Sequence, residues 1–152
     1  MIVRPWAKFT TDLPDDQIED GPVIIQLAGK NVAGALAELL VGLGCEVSPP
    51  ICANDNGWEL HIVAGERRRR LWCQVTLIDE YEVFFGQNSM FAEMLGRNGQ
   101  TYLDTLTRFA SALAADPRFH NVRWYTSDDV WTEPVGAPWP IDGEIGSSED
   151  RD

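Results

Sequence analysis

A chain of 152 residues fits one domain, and 44% hydrophobic with 10% aromatic residues is enough apolar material for a core, which excludes global disorder. Twenty-four Asp and Glu against twelve Lys and Arg leave a formal net charge of -12. This argues against general affinity for nucleic acid or anionic membrane and makes a basic protein the expected kind of macromolecular partner.

Three cysteines, Cys45, Cys52 and Cys73, form no CxxC pair, so reduced thiols and a cytoplasmic location are expected rather than a disulfide framework. "MIVRPWAKFTTDLPDD" lacks the apolar stretch of a signal peptide and reaches acid and proline quickly. Residues 10–22 are acidic and turn-rich and read as an exposed leader. Val23–Leu27 is a short β-type run. From Asn31, a candidate cap, Val32, Leu36, Leu39, Leu40 and Leu43 fall on one helical stripe, with Gly42 and Gly44 as the stop. The apolar run over these two segments contains Lys30, Asn31 and Glu38, which a membrane-spanning helix would have to desolvate.

After Gly44 the period changes to two. Cys45–Val47 starts a strand that ends at Pro49-Pro50, and "CANDNG" is loop chemistry. Trp58, Leu60 and Ile62 alternate with Glu59, His61 and Val63. Leu71, Cys73, Val75 and Leu77 share one face of the next strand and Trp72, Gln74 and Thr76 the other, and "YEVFF" follows the turn at Asp79-Glu80. "NSMFAEMLG" reads as a short helix or turn capped by Asn88 or Ser89. "TYLDTLTRFASALAADP" is a helix with Tyr102, Leu103, Leu106, Phe109, Ala110 and Leu113 on its apolar stripe. Thr101 and Asp104 suggest a capping box, and Asp116-Pro117 the end. "RFHNVRWY" is a last short strand with Val122 and Trp124 on one side. From Ser127 the chain is acidic and rich in Pro and Gly, and it cannot build a core by itself.

A run of strands flanked by helices predicts a two-layer α+β fold: an antiparallel meander of about four strands with two main helices packed on one face. Residues 1–126 form the expected domain and 127–152 a partly mobile tail. A βαβ crossover through Val23–Leu27, the first helix and Cys45–Val47 ranks second.

Catalytic signatures are weak. Gly29-Lys30-Asn31 precedes a helix, but the nearest upstream glycine, Gly21, is too distant for a phosphate loop, and Asn31 stands where a hydroxyl is needed. The cysteines, His61 and His120 lack the close pairing that delivers two ligands to one metal ion, so no metal and no cofactor is expected. No elbow presents a nucleophile, and the acids read as turns and solvated faces. The basic run "GERRRRLW" holds Arg67 to Arg70. With Gly65-Glu66 as a two-residue turn, Ala64 pairs with Arg67, His61 with Arg70 and Leu60 with Leu71. That register sets Arg68 and Arg70 on the Trp72 face, with Glu59 as the expected partner of Arg70. At Asp79-Glu80 a three-residue turn is preferred, because it matches Leu77 with Tyr81, Val75 with Val83 and Cys73 with Phe85.

Trp72 and Phe84 fall on the sheet face away from the core, which is either open or covered by the N-terminal segment or the tail. Six tryptophans are many for this length, and such rings suit interface cores. The leading expectation is a small acidic protein-interaction module acting without catalysis, such as an inhibitor, an immunity-type neutraliser, an adaptor or a chaperone-like binder. Its candidate binding residues are Trp72, Arg68, Arg70, His61, Glu59 and Phe84. The alternative is an enzyme or small-ligand binder with a pocket between sheet and helices around His61, Glu59 and Arg70.

Overall fold

The computed structural model describes residues 1–53, 57–87, 99–132 and 134–143. The expected Asn88 or Ser89 cap lies outside them. The fold is α+β, with two helices packed against a mainly antiparallel sheet. The chain runs β1 (Ile2–Val3), β2 (Trp6–Thr11), β3 (Ile18–Asp20), β4 (Val23–Gln26), α1 (Lys30–Gly42), β5 (Glu46–Val47) and β6 (Ile51–Cys52). It continues with β7 (Trp58–Ala64), β8 (Arg69–Leu77), β9 (Tyr81–Gln87), α2 (Gln100–Ala115), β10 (Phe119–Tyr125) and β11 (Ile141–Asp142).

The main sheet has seven strands, in the order β10-β2-β9-β8-β7-β5 with β6 also on β7, rather than about four. The meander β7-β8-β9 is present as expected. The additional long strand is β2, whose sequence "WAKFTT" alternates Ala7 and Phe9 into the core with Trp6 and Lys8 on the other face. It lies between β9 and β10, so Thr10 and Thr11 belong to a sheet strand rather than to an exposed leader. Farther along that segment, Ile18–Asp20 pairs with Val23–Gln26 as a separate ribbon. The ribbon rules out the crossover reading, and β5 runs antiparallel to β7.

Both helices bury their apolar stripes on one face of the sheet. Val32, Leu36 and Leu40 of α1 and Leu103, Leu106, Phe109 and Leu113 of α2 join Leu60, Ile62, Cys73, Val83 and Phe85 in one core. Full burial of each large side chain contributes about 1.5–3 kcal/mol relative to exposure. Among the described residues these side chains pack together between sheet and helices. Gly44, with φ of 91°, turns the chain after α1 as expected.

The helix starts differ from expectation. The N-cap of α1 is Gly29, and the carboxylate of Asp16 accepts the N–H groups of Gly29 at 3.0 Å and Asn31 at 2.8 Å. A residue distant in sequence thus does the work expected of Asn31. Likewise α2 starts after Gly99, which places Thr101 and Asp104 inside the helix, and the Gln87 side chain accepts the Gly99 N–H at 3.2 Å.

The β8–β9 hairpin has the expected register, with Leu77 opposite Tyr81, Val75 opposite Val83 and Cys73 opposite Phe85. The β7–β8 hairpin does not. Ala64 pairs with Arg69, Val63 with Arg70, His61 with Trp72 and Leu60 with Cys73. Four residues, Gly65 to Arg68, make the turn, and Arg68 takes a left-handed φ of 54°.

After β10 the chain returns along the sheet. Trp124 and Ala137 exchange backbone hydrogen bonds, Tyr125 Oη donates to the Pro134 carbonyl, and Ile141 pairs with Val3. Trp139 packs against the core. No helix among the described residues is long and apolar enough to cross a membrane.

Candidate functional site

Side-chain alternation divides the face opposite the helices into two regions. Over β2 and β10 the returning chain covers it: Tyr125 is 1% exposed and Glu82 6% exposed. Lys8 lies 3.8 Å from Glu82 and sits over the rings of Tyr125 and Trp131. Burial pushes the Glu82 carboxyl above its ordinary value, against the lowering effect of Lys8. Arg123 pairs with Glu80 beside this cluster.

Over β7, β8 and β9 the face carries half-buried and exposed side chains. A row of rings crosses it, with centroids separated by 5.0 Å from Trp72 to Phe84, 4.8 Å from Phe84 to Trp6 and 5.7 Å from Trp6 to Trp131. Trp6 and Phe84 are direct cross-strand neighbours. Trp72 lies opposite Gly86, whose missing side chain gives the rings room. A Cβ there would meet Phe84 Cε1 at 2.6 Å and Trp72 Nε1 at 2.9 Å. Trp131 is 62% exposed, and the buried Trp6 Nε1 has no hydrogen-bond partner among the described residues. Among the described residues the question posed by the sequence has a divided answer: the returning chain covers the β2–β10 side and leaves the Trp72 side open.

Beyond Trp72 the face becomes a groove of about 680 Å³, lined by Glu46, Ser48, Glu59, His61, Arg70 and Trp72. Its outer wall follows from a break in the edge strand. Ser48 exchanges hydrogen bonds with the backbone of His61, whereas Pro49 and Pro50 occupy the gap between β5 and β6. The sequence-predicted trio His61, Glu59 and Arg70 does line one concavity, but on the face away from the helices.

The expected Glu59–Arg70 pair is not formed. The observed register sets Glu59 opposite Gln74 and Arg70 opposite Val63, and the Glu59 carboxylate lies 3.5 Å from His61 Nε2. Arg68, in the turn, pairs with Glu46 through two hydrogen bonds of 2.7 and 3.2 Å. This contact raises the Arg68 pKa and lowers that of Glu46. Arg70 is exposed and makes no ion pair among the described residues.

Trp6, Trp131, Glu46 and Ser48 were absent from the sequence-derived site. Trp6 could have been found from the alternation of "WAKFTT". The other three reach the face through long-range pairing or chain return.

Nucleophile chemistry has little support in the thiols. Burial pushes the Cys73 thiol far up and Cys45 upward as well, while Cys52 is the exposed one. Among the described residues no group of three or more His, Cys, Asp and Glu could hold a metal ion. No protein-family model, curated protein or solved structure matches the chain.

Proposed function

We propose that the protein is a binding module acting without catalysis, and that its docking surface is the helix-free face running from Trp131 through Trp6 and Phe84 to Trp72. The observation that carries this reading is the unbroken row of four rings at 4.8–5.7 Å spacing. Large flat side chains bury much area on docking and lose few rotors, which is why they concentrate in interface centres. Glu59 lies in the groove beyond Trp72 at one end of the row, and the net charge of -12 favours a basic protein as the partner by steering and by long-range attraction.

Affinity capture from native lysate at low and high salt tests the proposal, with Trp72→Ala and Trp131→Ala baits beside the wild type. The expected result is one stoichiometric basic protein, weakened by salt and lost with either variant. A wild-type bait that stays free of any partner, or variants that retain it fully, would sink the proposal.

A second reading takes the groove as a small-ligand site. It is favoured by the placement of Arg70, free of an ion pair among the described residues, beside His61 and the Trp72 ring. A ligand bearing a carboxylate or phosphate and a flat apolar part would suit that trio.

A further inference from the structure

Four of the eleven exposed large apolar side chains among the described residues fall within eight positions. Ile18, Val23, Ile24 and Ile25 are 49%, 59%, 50% and 64% exposed, respectively. They belong to the β3–β4 ribbon, in which Glu19 faces Ile24 and Asp20 faces Val23. The ribbon is a two-stranded sheet of its own, so neither edge has a further strand among the described residues. A two-stranded hairpin is marginal by itself in water, and open strand edges are ready templates for another chain.

The ribbon is fixed at its base. The Asp16 side chain holds the start of α1, and the Asp16 carbonyl accepts a hydrogen bond of 2.7 Å from Gln26 Nε2. A rooted, exposed aliphatic arm is a poor choice for solubility unless something docks on it.

The surrounding charges select the occupant. Between Phe9 and Gly29 the chain carries Asp12, Asp15, Asp16, Glu19 and Asp20 and no Lys, Arg or His. A second copy would bring two such arms together in a protein of net charge -12, and residues 144–152, with four acids and one arginine, would be repelled too. A basic chain would be attracted.

We propose that the β3–β4 ribbon docks an extended basic segment of a partner protein as a third strand. A third strand sets its apolar side chains beside Val23 and Ile25 on one face of the ribbon and its Lys or Arg residues on the other, where Glu19 lies opposite Ile24. This site is separate from the ring-lined face and stands whether or not that face binds.

The test uses the full chain and a labelled peptide of about ten residues alternating Lys and Val, with a Glu–Val peptide as its counterpart, read by fluorescence anisotropy. Wild type should bind the Lys–Val peptide with an affinity that falls with salt. The double variant Ile24→Ser/Ile25→Ser should bind about tenfold more weakly or worse. Glu19→Lys/Asp20→Lys, which keeps the aliphatic surface, should weaken binding of the Lys–Val peptide and strengthen that of the Glu–Val peptide, a gain that simple unfolding of the arm could not produce. Three results would overturn the proposal: no binding by wild type; equal binding by wild type and the Ile24/Ile25 variant; or self-association of wild type that this variant abolishes, which would make a second copy the occupant.

Discussion

Gly86 shows how one residue can set the form of a surface. The Trp72 and Phe84 rings come together because the position opposite Trp72 has no side chain. In Gly86→Ala the new methyl would sit well inside van der Waals contact with both rings, and each must swing away. The expected cost is about 1–3 kcal/mol, with a changed near-UV circular dichroism spectrum. An unchanged spectrum and melting temperature would show that the rings do not depend on this seat. Gly136 is a parallel case in the returning chain itself: its φ is +66°, and a Cβ would lie 2.7 Å from Tyr125 Cζ. Residue type alone does not reveal either role, since both depend on what approaches from another strand.

At the scale of elements, Asp16 links the ribbon to α1. Removing its carboxylate in Asp16→Ala leaves two backbone N–H groups at the helix start without their acceptor. The expected loss is about 0.5–2 kcal/mol, read as a lowered urea midpoint, with Asp16→Asn recovering much of it. An Asp16→Ala midpoint equal to wild type would mean that water caps the helix as well. The sequence made other elements legible for clear reasons. The alternation over β7 to β9 and the stripe of α2 both contrast a buried face with a wet one. The β8–β9 register followed because only one turn length matched Val75 to Val83. For β7–β8, a shift of two residues keeps Leu60, Leu71 and Cys73 facing inward, so side-chain parity could not choose between registers. The turn chose, and it did so by placing Arg68 in a left-handed conformation usually marked by Gly or Asn. The strand β2 was hidden because it follows Pro5 and meets its partners only across most of the chain. With it went Trp6, and so the continuity of the ring row.

For the molecule as a whole, Arg4 and Asp142, 2.6 Å apart, hold β11 against β1. This contact keeps the Asp142 carboxyl below its ordinary value of 3.8. Its stabilising contribution is therefore complete above that pH and fades as pH falls through the lower folded-state value. Glu82 behaves oppositely. Burial holds its pKa above 4.5, so protonation there relieves a cost of folding. Acidification below 3.8 should therefore loosen the β1–β11 pair before the β2–β9 ladder. Hydrogen exchange at Val3 and Ile141 against Val83 measures this, and simultaneous loss would contradict it.

The position of β2 also has a consequence for synthesis. This strand leaves the ribosome well before β9 and β10, the strands that flank it in the sheet. Until then Trp6, Ala7 and Phe9 have neither ladder nor core to enter. The nascent chain must carry an apolar strand unpaired until those strands are made, a period in which chaperones and wrong neighbours compete for it.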